Sequence, residues 1–134
     1  MPFVLDASVT ACWVFRDEEH PLADFARDHL LNDDAMVPSL WWFEIRNLLV
    51  VNERRGRLSE SDSARFLRLL GRLGIVQDRA PAEAEVLRLA RTHRLSVYDA
   101  AYLELALRNR VGLATLDTAL IRAAREEGVS LVGP

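Results

Sequence analysis

Phe3-Val4-Leu5-Asp6-Ala7-Ser8-Val9 is the stretch on which the reading of this chain turns. Phe3, Val4 and Leu5 make a short apolar run of strand-forming residues, and an acid follows at once. Residues 3–6 therefore read as a strand and residues 7–15 as the helix after it. Strands that alternate with helical patterns build a parallel sheet with helices on both faces. An acid at the carboxyl end of such a strand stands where open parallel sheets bind their ligands.

The alternation continues along the chain. Residues 21–31 repeat Leu22, Phe25, Ala26 and Leu30 at helical spacing, and residues 35–37 form a short strand closed by Pro38. Residues 39–55 are a long helix ended by Gly56. The next helix, residues 59–73, opens with the capping box Ser59-Glu60-Ser61-Asp62. Residues 75–77 are a strand. Residues 81–93 are a helix with Pro81 early, where its missing N–H costs nothing, and residues 96–108 are another. Then come a strand at 112–115, a helix at 117–127 and a last strand at 130–132. The expected architecture is one domain over residues 1–134: α/β, three layers, with a central mainly parallel sheet of about five short strands.

Composition fits this picture. The 134 residues are 50% hydrophobic and 28% charged, as in a soluble globular domain rather than a disordered chain. No apolar run reaches the roughly 18 residues that span a bilayer, and the longest candidate is broken by Glu44, Arg46 and Asn47. The opening Met1 to Asp6 has no basic segment before an apolar one, so it does not read as a signal peptide. Cys12 is the sole cysteine, which excludes an internal disulfide and a cysteine-based zinc site and suits a cytoplasmic protein. Net charge is −3, so bulk charge gives no sign of nucleic-acid binding. All 17 basic residues are Arg; genome composition produces that, and Arg forks also suit phosphate and carboxylate.

Four acids are the candidates for chemistry. Asp6 ends the first strand and Asp117 follows the strand at 112–115, so both reach one edge of the sheet. In the long helix, positions 40, 44, 48 and 51 share a face, which predicts Glu44 buried among Leu40, Leu48 and Val51 and in need of a partner or a metal. Asn47, one turn on, is placed to hold Glu44 or a water. Asp99, flanked by Leu103 and Ala106, is expected to face inward. Each acid also has a purely structural reading. Asp6 and Asp117 suit helix N-caps, Asp99 completes a capping box with Ser96, and Glu44 suits a buried Arg. Together the acids argue for more than caps. Close carboxylates repel by up to about 4 kcal/mol per pair at intermediate dielectric, and a divalent cation removes that cost. Oxygen ligands without His or Cys select magnesium or manganese, an ion that activates water against a phosphodiester.

The segments that carry these acids resemble the PIN-domain family. They are Val4-Leu5-Asp6-Ala7-Ser8-Val9, Glu44-Ile45-Arg46-Asn47-Leu48-Leu49, the run from Ser96 through Asp99 to Ala106, and Leu113-Ala114-Thr115-Leu116-Asp117-Thr118-Ala119-Leu120. They fall in the family's order over nearly the whole chain, and the VapC-type toxins of type II toxin–antitoxin pairs are the subgroup they resemble. The resemblance implies a magnesium-dependent endoribonuclease that cuts tRNA or ribosomal RNA, frequently as a homodimer, and is inhibited by a cognate antitoxin protein. It implies Asp6 and Asp99 as principal metal ligands, with Glu44 and Asp117 as further acids acting directly or through water. Ser8, Asn47 and Thr115 resemble polar residues that support the acids. Some family members carry Asn at the position of Asp117.

RNA must then be held despite the acidic chain. Arg54, Arg55 and Arg57 follow the Glu44 helix, and Arg65, Arg68 and Arg72 share a face of the next one. A solvated surface, phosphate contacts and antitoxin salt bridges are all open readings. Trp41 and Trp42 read first as core or dimer-interface residues and second as base-stacking ones. His20, His29 and His93 are scattered and carry no assigned role. Rival folds are less well served. A receiver domain and a haloacid-dehalogenase-like phosphatase both need a Lys this chain lacks, and the phosphatase also wants Asp-x-Asp where Asp6-Ala7-Ser8 stands. A non-catalytic binding module on the same fold is disfavoured by the intact acids.

Overall fold

Strand β1 (Phe3–Leu5) is buried on both faces, which requires helices on each side of its sheet. A computed structural model of the chain describes residues 1–15 and 19–134. Its elements run β1, α1 (Ala7–Cys12), α2 (Pro21–His29), β2 (Ala35–Pro38), α3 (Leu40–Arg54), α4 (Glu60–Leu70), β3 (Ile75–Asp78), α5 (Glu83–His93), α6 (Val97–Asn109), β4 (Gly112–Ala114) and α7 (Thr118–Glu126). All strand pairs are parallel, in the order β3-β2-β1-β4. Phe3 pairs with Ala35 on one side and Gly112 on the other. The first helix is shorter than expected, ending at Cys12, with Trp13 as its C-cap.

The sheet has four strands rather than about five. Of the expected strand at 130–132, only Leu131 bridges Leu113, flanked by hydrogen bonds from Leu113 N to Ser130 O and from Val132 N to Leu113 O, each 2.9 Å. Gly133 and Pro134 follow immediately. Glycine is a poor strand former and proline cannot donate to a ladder, so the bridge does not extend.

Helix α6 organises the middle of the molecule. It packs across β1, β2 and β4, and α5 and α7 pack on it, while α1 packs against α2 and α3 on the other side. Ala100, Tyr102, Leu103, Leu105 and Ala106 of α6 are all buried. Burying each larger side chain contributes roughly 1.5–3 kcal/mol. The surprise in this helix is Glu104, only 1% exposed. It is satisfied by Arg108 one turn on, with Nε to Oε2 at 2.7 Å, and Arg108 also donates two hydrogen bonds to Asp78 at the end of β3. The clamp ties α6 to the sheet edge. The capping box of α4 forms as the sequence implies, Ser59 and Asp62 exchanging bonds of 3.0 Å.

Removing Arg108 leaves the Glu104 carboxylate buried without its cation. Arg108→Ala is expected to cost about 3 kcal/mol, the low end for breaking a buried pair because the arginine is partly solvated. Chemical denaturation checks this, through a lowered midpoint with an unchanged slope.

Candidate active site

The sheet changes direction of winding between β1 and β4. From β1 the chain moves through β2 to β3, then crosses back to place β4 on the far side of β1. That reversal opens a crevice at the carboxyl ends of β1 and β4. Asp6 leaves β1 there, and Thr115 and Asp117 leave β4 beside it. The Asp6 amide donates to Ala114 O at 3.0 Å, which locks the two strand ends together.

Asp6 is 5% exposed and stands at the N-cap position of α1, yet its side chain makes no capping hydrogen bond. Its Oδ2 instead accepts from Ser8 Oγ at 2.6 Å and from Thr115 Oγ1 at 2.8 Å. Each hydroxyl is itself fixed by a backbone donor. Leu116 N donates to Ser8 Oγ at 3.0 Å, and Asp117 N donates to Thr115 Oγ1 at 3.1 Å. A hydroxyl that accepts from the backbone has its single proton left for Asp6, so the carboxylate's orientation is set before anything binds. Burial pushes the Asp6 pKa up, and the Ser8 and Thr115 hydroxyls pull against that.

The other acids come in from three elements. Glu44 on α3 accepts from the Tyr102 hydroxyl at 2.7 Å. Asp99 opens α6, where its amide donates to Ser96 Oγ at 3.0 Å. Asp117 caps α7, its Oδ1 accepting from Leu120 N at 2.9 Å. The cap reading of Asp117 is thus correct, and it leaves the acid within electrostatic reach of Asp6 and Asp99. Partial desolvation of the carboxylate end, first, raises the pKa of Glu44, the Tyr102 hydroxyl pulls against that, and Asp6 and Asp99 add to it. Burial, first, also raises that of Asp99, followed by Asp117 and Asp6. No basic group among the described residues offsets any of these shifts.

The expected environment of Glu44 needs correction. The buried stripe of α3 is Trp41, Ile45, Leu49 and Asn52, and Leu40, Leu48 and Val51 are half-buried. Glu44 is exposed on the shoulder of the helix rather than enclosed by leucines. It lines a groove of about 410 Å³ with Ser8, Asn47, Leu48, Val51 and Arg55. Asp6 lies one hydrogen bond beyond Ser8. Asn47 is exposed in that groove and makes no hydrogen bond to Glu44 among the described residues. The three arginines are separated. Arg55 joins Glu44 in the groove. Arg57 stacks on Phe15 at 4.0 Å in a second groove, and Arg54 lines neither. The tryptophans divide as well. Trp41 is buried, its indole donating to Thr10 at 3.1 Å, and Trp42 is 41% exposed.

Tyr102 is the site residue that the sequence reading did not single out. Its side chain is buried, and burial together with Glu44 raises its pKa far above the usual phenol value, so it stays a donor. The signal was spacing. Position 102 lies three residues after Asp99 on the same helix face, so whatever Asp99 faces, Tyr102 faces too.

Among the described residues, no three of His, Cys, Asp and Glu come together closely enough to hold a metal ion. The donor set nonetheless fits one kind of cation. It is all hard oxygen, and magnesium is bound through one or two carboxylates and several waters.

A family model described as the PIN domain matches residues 3–126. Among solved structures, PAE2754 from Pyrobaculum aerophilum is 26% identical with a TM-score of 0.72, covering 98% of this chain and 84% of its own. A toxin–antitoxin complex from Klebsiella pneumoniae is 16% identical with a TM-score of 0.60, covering 86% of each chain. VapBC2 from Rickettsia felis, bound to a DNA fragment from its promoter, is 15% identical with a TM-score of 0.67, covering 98% of this chain and 97% of its own. No curated protein matches the chain.

The raised carboxylate values set a pH dependence. A carboxyl with a higher pKa folded than unfolded makes the native state bind more protons, so stability falls as pH rises through that interval. Without added metal, Asp99→Asn is expected to melt higher than the parent at neutral pH. The gain should vanish by about pH 3.5, below the unfolded carboxyl value. Thermal melts across pH in EDTA check both arms.

Proposed function

The chain belongs to the PIN-domain family, and from that premise we propose that it is a magnesium-dependent endoribonuclease, the toxin of a toxin–antitoxin pair. The observation that carries the reading is a contrast among its acids. Glu104, Asp78 and Glu127 each face an arginine, whereas burial raises the pKa of Asp6, Glu44 and Asp99 and neighbouring acids add to it, Asp117 at Asp6, Asp6 and Asp99 at Glu44, Asp117 and Asp6 at Asp99, with no basic group among the described residues to oppose them. A protein that clamps Glu104, Asp78 and Glu127 with arginine and leaves these to repel at a topological switch point has kept a place for a cation.

Asp6 and Asp99 would hold that ion directly, magnesium or in its place manganese, with Glu44 and Asp117 reached directly or through water. Once bound, the ion supplies a water of lowered pKa and neutralises phosphate charge. The residues of the chain do the rest. Ser8 and Thr115 fix the plane of the Asp6 carboxylate. Tyr102 holds one Glu44 oxygen and leaves the other for the attacking water, whose proton Glu44 takes. Its raised pKa suits that task. Asp117 spends one oxygen on its cap and stays within electrostatic reach of Asp6 and Asp99. The substrate is RNA, with tRNA and ribosomal RNA the classes to examine first. An antitoxin protein is the expected partner, in line with the toxin–antitoxin complex among the structural relatives, and a homodimer is the expected assembly. No helix among the described residues is long and apolar enough to cross a membrane.

Incubating the purified chain with tRNA and ribosomal RNA in magnesium, with an EDTA control, tests the proposal. Cleavage should require the metal. Asp99→Asn and Asp6→Asn should each lose about 100-fold or more, since a metal-stabilised transition state is worth several kcal/mol, and both should keep their circular dichroism. Wild-type cleavage rates in Asp99→Asn, or undiminished cleavage in EDTA, would sink the assignment.

A further inference from the structure

Helix α3 divides two different surfaces. Its buried stripe anchors it, and successive residues turn about 100° around the axis. Glu44 therefore occupies one shoulder, and Trp42 and Arg46 sit about 160° away on the other. Phe43 stands on the outward crest between them.

The far shoulder carries a guanidinium that stacks on an aromatic ring and faces no carboxylate among the described residues. The Arg46 guanidinium lies 4.1 Å from the Trp42 ring centroid, and its Nη1 donates to Trp42 O at 3.3 Å. It is half-buried and forms no salt bridge among the described residues. Partial burial lowers its pKa, with no carboxylate close enough to raise it. A stacked, partly desolvated guanidinium that keeps free donors is suited to an anion with planar acceptors, phosphate above all. Beside it lies a groove of about 240 Å³ that includes Gln77 of the edge strand. From Arg46 the array continues outward. Trp42 and Phe43 meet edge to face at 5.0 Å between centroids, and Phe43 is 68% exposed. Large aromatics left this open on a helix crest invite a planar ligand.

We propose that Arg46, Trp42 and Phe43 form a track that carries single-stranded RNA over α3, with Phe43 stacking a base beside the acidic site and Arg46 taking a phosphate on the far side. The proposal rests on the nuclease reading above and extends it to the path of the substrate. A helix with its side chains is about 10–12 Å across, a span that a few nucleotides cover. The pieces alternate as a nucleic-acid strand does, ring faces for bases and a fork for phosphate. A protein partner suits the surface less well, because polar Asn47 and Glu44 border Phe43 on the side of the acidic groove and a protein would have to bring a carboxylate to Arg46.

Binding is measured in the Asp99→Asn chain, which holds RNA without cutting it, using an end-labelled oligouridylate and fluorescence anisotropy. Phe43→Ala and Arg46→Ala are each expected to weaken binding about tenfold, the scale of one stacked base. Phe43→Tyr should keep parental affinity. Arg46→Ala should also lower the slope of log affinity against log salt by about 0.7, the value of one single-strand phosphate contact. Arg91→Ala, on exposed α5, should change neither. The track is overturned if both alanine variants bind within about twofold of the parent or if the parent binds no oligonucleotide. It is also overturned if size-exclusion chromatography shows that these variants lose binding by splitting a dimer. The nuclease reading is judged separately, by whether the wild-type chain cleaves RNA in magnesium. Cleavage with unaffected alanine variants removes the track alone.

Discussion

One carboxylate held by two hydroxyls carries the architecture of the site. Asp6 receives Ser8 from the start of α1 and Thr115 from the end of β4, so a single side chain joins residues 109 positions apart in sequence. The hydroxyls are oriented by the amides of Leu116 and Asp117. The loop that leaves β4 is therefore shaped by the same bonds that aim Asp6. Asp117 reaches its N-cap position through that loop, and α7 starts where the loop ends. A change at Thr115 would disturb the carboxylate, the loop and the helix start together, although Thr115 need not touch a substrate.

How much of this was legible in the sequence depends on how local each signal is. Asp6 was readable because an apolar strand and its acid are adjacent in the chain, and the Ser59–Asp62 box because its partners are three residues apart. Glu44 shows the opposite case. Two rows of α3 are apolar, Leu40–Leu48–Val51 and Trp41–Ile45–Leu49, so periodicity does not say which one the core takes. The core takes the second, and Asn52, buried and bonded back to Leu48 O at 2.8 Å, completes that stripe despite its polarity. The acid accepts from Tyr102 and feels Asp6 and Asp99, but its environment is an open shoulder rather than a leucine pocket. Tyr102 was passed over because an aromatic in a buried helix reads as core. Only the fold, which brings Glu44 of α3 within hydrogen-bond reach of α6, shows that its hydroxyl has an acidic partner. The missing fifth strand is a matter of length: three residues with strand-like composition make a bridge when glycine and proline follow.

The division of labour between α3 and α6 follows from the same packing. Helix α6 is buried nearly all round and cannot move without disturbing three strands, which makes it a rigid mount for Asp99 and Tyr102. Helix α3 buries one stripe and leaves the rest to solvent. Its shoulders are free to differ in chemistry, acid on one and a stacked cation on the other.

The cost of the unpaired acids is met elsewhere in the fold. Arg108 neutralises Glu104 and Asp78 at one edge of the sheet. At the end of α7, Glu127 is flanked by Arg88 and by His93, whose other ring nitrogen faces Glu126 at 3.1 Å. These clamps fasten α5 to the end of α7 and α6 to β3, around the site rather than in it. Buried pairs are costly to break and modest in net gain, so their value here lies in holding the backbone while Asp6, Glu44 and Asp99 push apart. Marginal stability leaves only a few kcal/mol to spare. A fold that tolerates mutual repulsion at its switch point needs such fastening.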